Sequence, residues 1–210
     1  MRNLGGNMNI IQETLDTILK FINTILSIGI YSHEQQRQFD RDGYTYLMVA
    51  ADKGLTEDVK FLLPLYKKEL GQANIDGNTA LMIAAVKGHT EIVELLLPKL
   101  SIGQLGQVNG NGNNTLMIAT YKGHTEIVKL LLPKLSIGQL GQVNEDGDTA
   151  LMIATYKGHT EIVKLLLAKL SNEQLGQANR GDDTALIIAA DRGHTEIVKL
   201  LLAKLSNEQL

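Results

Sequence analysis

Four histidines are the first residues to consider for chemistry, because they stand 35 residues apart within the same Gly-His-Thr-Glu-Ile-Val segment. They are His89, His124, His159 and His194. Imidazole binds metals and acts as a general base. However, zinc holds its ligand nitrogens at about 2.0–2.1 Å, whereas packed helices lie roughly 8–10 Å apart. One histidine per unit therefore cannot share a metal. We interpret these side chains as structural, each hydrogen-bonded across its own helix turn.

Other catalytic patterns are missing from the sequence. It contains no Walker or Rossmann glycine loop, no His-Glu-x-x-His and no Gly-x-Ser-x-Gly, and it has no cysteine. Carboxylates such as Glu91 recur once per unit at helix-surface positions, without the paired and desolvated setting that acid–base catalysis needs. The sequence therefore predicts a protein that is not an enzyme and that has no metal and no cofactor.

The 35-residue period itself is the main signal in the chain. A fixed period of about 20–50 residues indicates a solenoid, in which each unit stacks only on its neighbours. We predict a first segment over residues 1–39, followed by five units over residues 40–73, 74–108, 109–143, 144–178 and 179–210.

Each unit contains the residues that mark the starts and ends of helices in a helix–turn–helix. An Asp-Gly or Asn-Gly turn comes first, a threonine such as Thr79 then caps a short helix, and Gly88 ends it. The second helix is apolar almost all round and must be enclosed by neighbours. A Ser-x-x-Gln segment then predicts one extra helical turn. Pro98 and Pro133 should stop or kink the second helix in two units.

The segment before the regular units has the pattern of an amphipathic helix, with apolar residues three and four apart between Ile10 and Ile30. We predict that it caps the stack as a degenerate unit. Glu13, Asp16 and Lys20 argue against a stable membrane span, and no signal peptide is visible. Docking of this helix on a membrane surface is an alternative, although Lys20 is its only cation.

The repeated residues resemble the ankyrin-repeat family. The match lies in Gly77-Asn78-Thr79-Ala80-Leu81 and in Gly88-His89-Thr90-Glu91-Ile92-Val93, with their counterparts in the other units. The usual unit has about 33 residues, and the Ser-x-x-Gln-Leu-Gly turn accounts for the two extra ones here. The resemblance implies an all-α solenoid of stacked helix–turn–helix repeats with an N-terminal helical cap. The long units also resemble ankyrin proteins of intracellular bacteria, some of which act inside host cells.

In the ankyrin family, the residues before each Gly-His and those beside the loop turn form a concave surface that binds partner proteins. We name the pairs that precede this glycine the Tyr–Lys column; in the first unit the glycine, Gly54, is followed by leucine in place of histidine. They are Asp52-Lys53, Val86-Lys87, Tyr121-Lys122, Tyr156-Lys157 and Asp191-Arg192. Tyrosines and cations in this column could bind an acidic or amphipathic partner. The alternative is that duplication copied a soluble Tyr-Lys-Gly-His segment without selection for binding. Loop-tip candidates for binding are Tyr44, Asn78, Asn113 and Asp148.

Function follows as a set of expectations. The first hypothesis is a protein-interaction scaffold that binds a partner protein through the concave face and the loop tips; the alternative is an adaptor fragment of a larger effector whose active domain lies elsewhere. A net charge of −3 argues against nucleic acid as the partner. We expect a cytoplasmic protein, or one delivered into a host cell. Because the last unit keeps the apolar pattern of an inner one, we also expect weak end-to-end self-association.

Overall fold

The computed structural model describes residues 41–65, 67 and 70–206, and the predicted cap over residues 1–39 lies outside them. The described part is a series of short helices. These are α1 Tyr46–Lys53, α2 Thr56–Leu62, α3 Ala80–Lys87, α4 Thr90–Leu96, α5 Ile102–Leu105, α6 Thr115–Lys122, α7 Thr125–Leu131, α8 Ile137–Leu140, α9 Ala150–Lys157, α10 Thr160–Leu167, α11 Asn172–Leu175, α12 Ala185–Asp191 and α13 Thr195–Ser206. The described residues form no β-strand beyond isolated bridges, so the all-α prediction is confirmed.

The helices stack in two layers. The first helices of the units, α1, α3, α6, α9 and α12, pack in sequence on one another, and the second helices, α2, α4, α7, α10 and α13, do the same. The core lies between the layers, where Ile92, Ile127 and Val128 are fully buried. A second helix that is apolar nearly all round is thereby enclosed by its neighbours, as the sequence predicts.

Caps define where the first helices begin and end. Thr79 Oγ1 accepts a hydrogen bond from the Met82 amide at 3.3 Å, and Gly88 closes α3 with a left-handed φ of 78°. In the third unit the cap is Asn114, whose Oδ1 accepts from the Met117 amide at 2.9 Å. Thr115 follows as the first helical residue, so in this unit an asparagine takes the capping role that threonine has in the others.

Proline decides where the second helices end. Helix α4 stops at Leu96, and a 3₁₀ turn over Leu97–Lys99 contains Pro98. Where Ala168 replaces proline, α10 continues to Leu167, and α13, with Ala203 at that position, runs on to Ser206. The prediction that the two prolines interrupt the second helix is confirmed.

The Ser-x-x-Gln segment forms the predicted extra turn and also joins neighbouring units. Gln139 Oε1 accepts from the Ser136 amide at 2.9 Å, which closes a capping box around α8. Its Nε2 donates to the Ile102 carbonyl of the preceding unit at 2.6 Å. Gln174 repeats the second contact on Ile137 at 2.8 Å. The sequence predicts the cap but not the bond between units.

Glycines at the loop tips adopt the left-handed conformation that the Asp-Gly and Asn-Gly turns predict. Gly43, Gly77, Gly112 and Gly147 have φ between 70° and 82°. In the last unit the order is reversed to Gly181-Asp182, and Asp182 takes the left-handed position with φ of 61°. It is the one non-glycine residue with positive φ among the described residues.

Replacing Asp182 by glycine should stabilise the last unit, because a side chain at positive φ costs about 1–2 kcal/mol and aspartate tolerates it better than most. After the entropy that glycine loses on folding, we expect a net gain of roughly 0.5 kcal/mol in the free energy of unfolding. Urea unfolding of Asp182→Gly measures it, with Asp183→Gly as the control that gains nothing. A lower midpoint for Asp182→Gly would contradict the expectation.

The C-terminal face of the described stack lacks the contact that inner units share. An added Cβ on Gly193 would meet nothing within 4 Å, and Leu202 in α13 is about half exposed. Weak end-to-end association through this face stays a prediction.

Candidate functional site

The repeated histidines contact the preceding unit, which corrects the expectation that they bond across their own helix turn. His89 Nε2 lies 3.4 Å from the Asp52 carbonyl, and His124 Nε2 lies 3.4 Å from the Val86 carbonyl. Each ring also packs on the glycine that ends the preceding first helix, so that a Cβ on Gly54 would lie 2.8 Å from His89 Cε1. Among the described residues, no cluster of three or more potential ligands could hold a metal ion. Through these hydrogen bonds and ring contacts, the histidines connect neighbouring units.

The Tyr–Lys column lies at the exposed ends of the first helices. Tyr121 and Tyr156 are 53% and 49% exposed, whereas the residues before them, Thr120 and Thr155, are fully buried. Each ring carries a cation from the following unit. Lys157 Nζ lies 3.9 Å from the Tyr121 ring centroid, and Arg192 Cζ lies 3.8 Å from that of Tyr156. Contacts this short are stabilised by the attraction of a cation to the aromatic face.

The column and the loop tips together enclose a groove of about 400 Å³, which we name the central groove. It brings together six of the predicted binding residues: Asn113, Tyr121, Lys122, Asp148, Tyr156 and Lys157. Val86, Met117, Ile118 and Ile153 give it an apolar floor, and Asn111, Asn144 and Asp146 complete the tip side. A surface with aromatic walls, an apolar floor and charged edges has the composition of a binding site.

The cations at the N-terminal end of the column have a carboxylate neighbour, whereas those at its centre have none among the described residues. Lys87 Nζ lies 3.0 Å from Asp52 Oδ1, and Lys53 Nζ lies 4.0 Å from Asp52 Oδ2, so Asp52 offsets part of the positive charge at the N-terminal end. Within the part of the chain that the structure describes, no carboxylate oxygen lies within 4.0 Å of Lys122 or Lys157. Lys122 and Lys157 are therefore cations of the column whose charge no adjacent carboxylate of the described residues offsets, and the acidic residues of the central groove lie on its tip side.

The loop-tip candidates are engaged in bonds between units. Asn109 Nδ2 donates to Asn78 Oδ1 at 3.1 Å, and Asn144 Nδ2 donates to Asn113 Oδ1 at 3.3 Å. Asn179 repeats the pattern on Asp148 Oδ1 at 2.8 Å. The first asparagine of the third, fourth and fifth units is thus a structural residue, which the sequence did not predict. Its signal in the sequence is its constancy at the start of four units.

Five predicted residues lie outside the central groove: Tyr44, Lys53, Asn78, Lys87 and Arg192. Arg192 lines a neighbouring depression with Asp183 and Asp191. Tyr44 is half-buried against the first units, where burial raises the pKa of its hydroxyl and the nearby Asp52 carboxylate raises it further. Tyr44 therefore contributes to packing in addition to any contact with a partner.

The comparison with protein families agrees with this architecture. A family model for ankyrin repeats matches residues 47–140, 99–174 and 134–209, and so covers most of the chain. The chain belongs to the ankyrin-repeat family. No curated protein matches the sequence. Ankyrin repeats are generally protein–protein interaction modules and are typically not catalytic.

As an ankyrin-repeat protein, this chain departs from the usual residues inside its first helices. Methionine takes the place of the family's histidine, and Met48, Met82 and Met117 are almost completely buried. Met48 Sδ nevertheless accepts a hydrogen bond from the Thr45 amide at 3.5 Å, so the methionine both packs in the core and contacts the helix cap. Among the described residues, no helix is both long enough and apolar enough to cross a membrane. The predicted helix between Ile10 and Ile30 lies outside this part of the chain.

Proposed function

We propose that this ankyrin-repeat protein is a non-enzymatic scaffold that binds a partner protein through the Tyr–Lys column and the loop tips. The observation that carries the proposal is the exposure of Tyr121 and Tyr156 on the wall of the central groove. Large aromatic residues on a water-exposed wall leave apolar area uncovered, and tyrosine is enriched where interfaces gain most of their affinity. Tyrosine also loses little conformational entropy on binding, because only two torsions are fixed.

The neighbouring cations support the same face. The ammonium group of Lys157 is held over the Tyr121 ring, so it is oriented before any partner arrives. Preorganisation of this kind lowers the entropic cost of association. Val86 occupies the tyrosine position in the second unit, which gives that end of the groove an aliphatic contact instead. Partner contacts should therefore centre on the third and fourth units.

Affinity capture tests the proposal. The native chain and a variant with Tyr121, Lys122, Tyr156 and Lys157 all replaced by alanine are immobilised separately and exposed to eukaryotic and bacterial lysates. We expect a protein that the native chain retains and the variant loses by at least about tenfold, which corresponds to roughly 1.4 kcal/mol of binding free energy.

The matched control removes two apolar and two cationic residues elsewhere on the stack. Ile102, Ile137, Lys164 and Lys199 are exposed and lie outside the central groove. Alanine at these positions should leave capture unchanged, and circular dichroism should show equal helicity in both variants. Equal retention by the column variant and the native chain would contradict the proposed face. An absence of specific capture from both lysates would favour the adaptor-fragment hypothesis.

A further inference from the structure

The charges and spacing of the central groove define the kind of segment it would hold. Resting on the proposed function, we infer that the groove binds an extended segment of the partner in the polyproline II conformation, with a carboxylate at every third residue. The residues that would receive the carboxylates are Lys122 and Lys157, one in each of two neighbouring units.

Lys122 and Lys157 carry positive charges that no nearby carboxylate in the described part of the chain offsets. Neither Nζ has a carboxylate oxygen within 4.0 Å among the described residues, in contrast to Lys87 and Lys60. Lys157 Nζ lies 3.9 Å from the Tyr121 centroid and 5.8 Å from the Tyr156 centroid, so two rings flank it. Lys122 Nζ lies 5.9 Å from the Tyr121 centroid. An aromatic ring attracts the cation without neutralising its charge, so both ammonium groups keep donors for an anion.

The distance between the two lysines is set by the packing of neighbouring units. Equivalent residues of neighbouring units follow the packing distance of their helices, roughly 8–10 Å. A polyproline II helix repeats every three residues at about 3.1 Å per residue, which places side chains on one edge about 9.3 Å apart. Same-side residues of a β-strand are about 6.6–6.8 Å apart, too close for successive units. The polyproline II spacing therefore matches one unit per turn.

An α-helix could also match the step, since seven residues rise about 10.5 Å. Such a helix would need seven residues between successive carboxylates, whereas polyproline II needs three. A helical peptide with glutamates seven residues apart therefore separates the two conformations, and tighter binding of that peptide would overturn the inference.

The wall opposite the lysines determines which side chains of the bound segment can face it. Asp146, Asp148 and Asn111 line the tip side of the groove and present acceptor oxygens. Asp148 Oδ1 already accepts from Asn179 Nδ2, which leaves its other oxygen for a ligand. Carboxylates facing this wall would be repelled, so acidic residues belong on the lysine edge only. A segment with acid at every residue is therefore disfavoured relative to one with acid at every third.

Fluorescence anisotropy with labelled synthetic peptides tests the inference on the full chain. The probe is a twelve-residue peptide of Pro-Pro-Glu triplets, and the comparison peptide has the same composition with its glutamates in one block. We expect the triplet peptide to bind at least about tenfold more tightly, since that difference needs only roughly 1.4 kcal/mol. Binding should weaken as salt rises, because exposed charge pairs are screened.

Two variants assign the interaction to the lysines. Lys122→Gln with Lys157→Gln should weaken the triplet peptide about tenfold, whereas the charge-matched pair Lys164→Gln with Lys199→Gln should leave it unchanged. Equal affinity for both peptides, or equal loss in both variants, would overturn the inference. If the column captures a partner protein from lysate but the triplet peptide does not bind, the inference fails while the proposed function stands.

Discussion

Replacing Gly112 by alanine is expected to lower the free energy of unfolding by roughly 3 kcal/mol. Gly112 has a φ of 72°, where a Cβ costs about 1–2 kcal/mol. The added Cβ would also lie 2.8 Å from the amide nitrogen of Glu145 and 3.0 Å from Cα of Asn144, both in the next unit. Backbone atoms cannot rotate away, so the two loop tips must separate. That movement also strains the bond from the Glu145 amide to the Asn111 carbonyl.

Two other glycines separate the causes. Gly193 has a φ of 68° but no neighbour within 4 Å of an added Cβ, so Gly193→Ala should cost only the strain of about 1–2 kcal/mol. Gly138 lies within the short helix α8 and also has open space around it, so Gly138→Ala should gain about 0.5–1 kcal/mol. Urea unfolding monitored by circular dichroism gives all three values. Equal losses for the Gly112 and Gly193 variants would show that contact between loop tips contributes nothing.

Replacing Leu131 by alanine should be at least as damaging, at about 3–4 kcal/mol. Leu131 ends α7 in the central unit and is 1% exposed. Removing a buried side chain loses its transfer free energy and leaves a cavity that the neighbours fill only partly. Because units of a solenoid contact only their neighbours, a weakened central unit also uncouples the two halves. We expect a lower midpoint and a broader or two-step transition in urea.

The equivalent residue in the last unit provides the control. Leu201 in α13 is also 1% exposed, so the same chemical change occurs at the same position in a unit with one described neighbour. Leu201→Ala should cause local loss of α13 while the remaining units keep most of their stability. Hydrogen exchange resolved by residue distinguishes local from global opening. Identical midpoints and slopes for the two variants would argue against unit-by-unit stability.

Much of the fold could be predicted from the sequence because the rules that produce it are local. Thr79 and Gly88 act within one or two turns of their own helix, and the end of α4 beside Pro98 follows from the amide that proline lacks. The exact repetition of these signals at a period of 35 residues then indicates that the units stack. The family, the all-α class and the site of the extra turn at Ser136 all follow from such signals.

The tertiary structure alone decided which unit each polar side chain serves. His124 contacts the unit before its own, Asn144 bonds to Asn113, and Gln139 bonds across to Ile102. It also decided that Lys157 Nζ lies nearer the ring of Tyr121, in the preceding unit, than the ring of its sequence neighbour Tyr156. These pairs are separated by 31 to 38 residues in the chain, and their distances depend on how two rigid units pack. A repeated sequence states that each unit has the same residues, but the offset between stacked surfaces determines which of them meet.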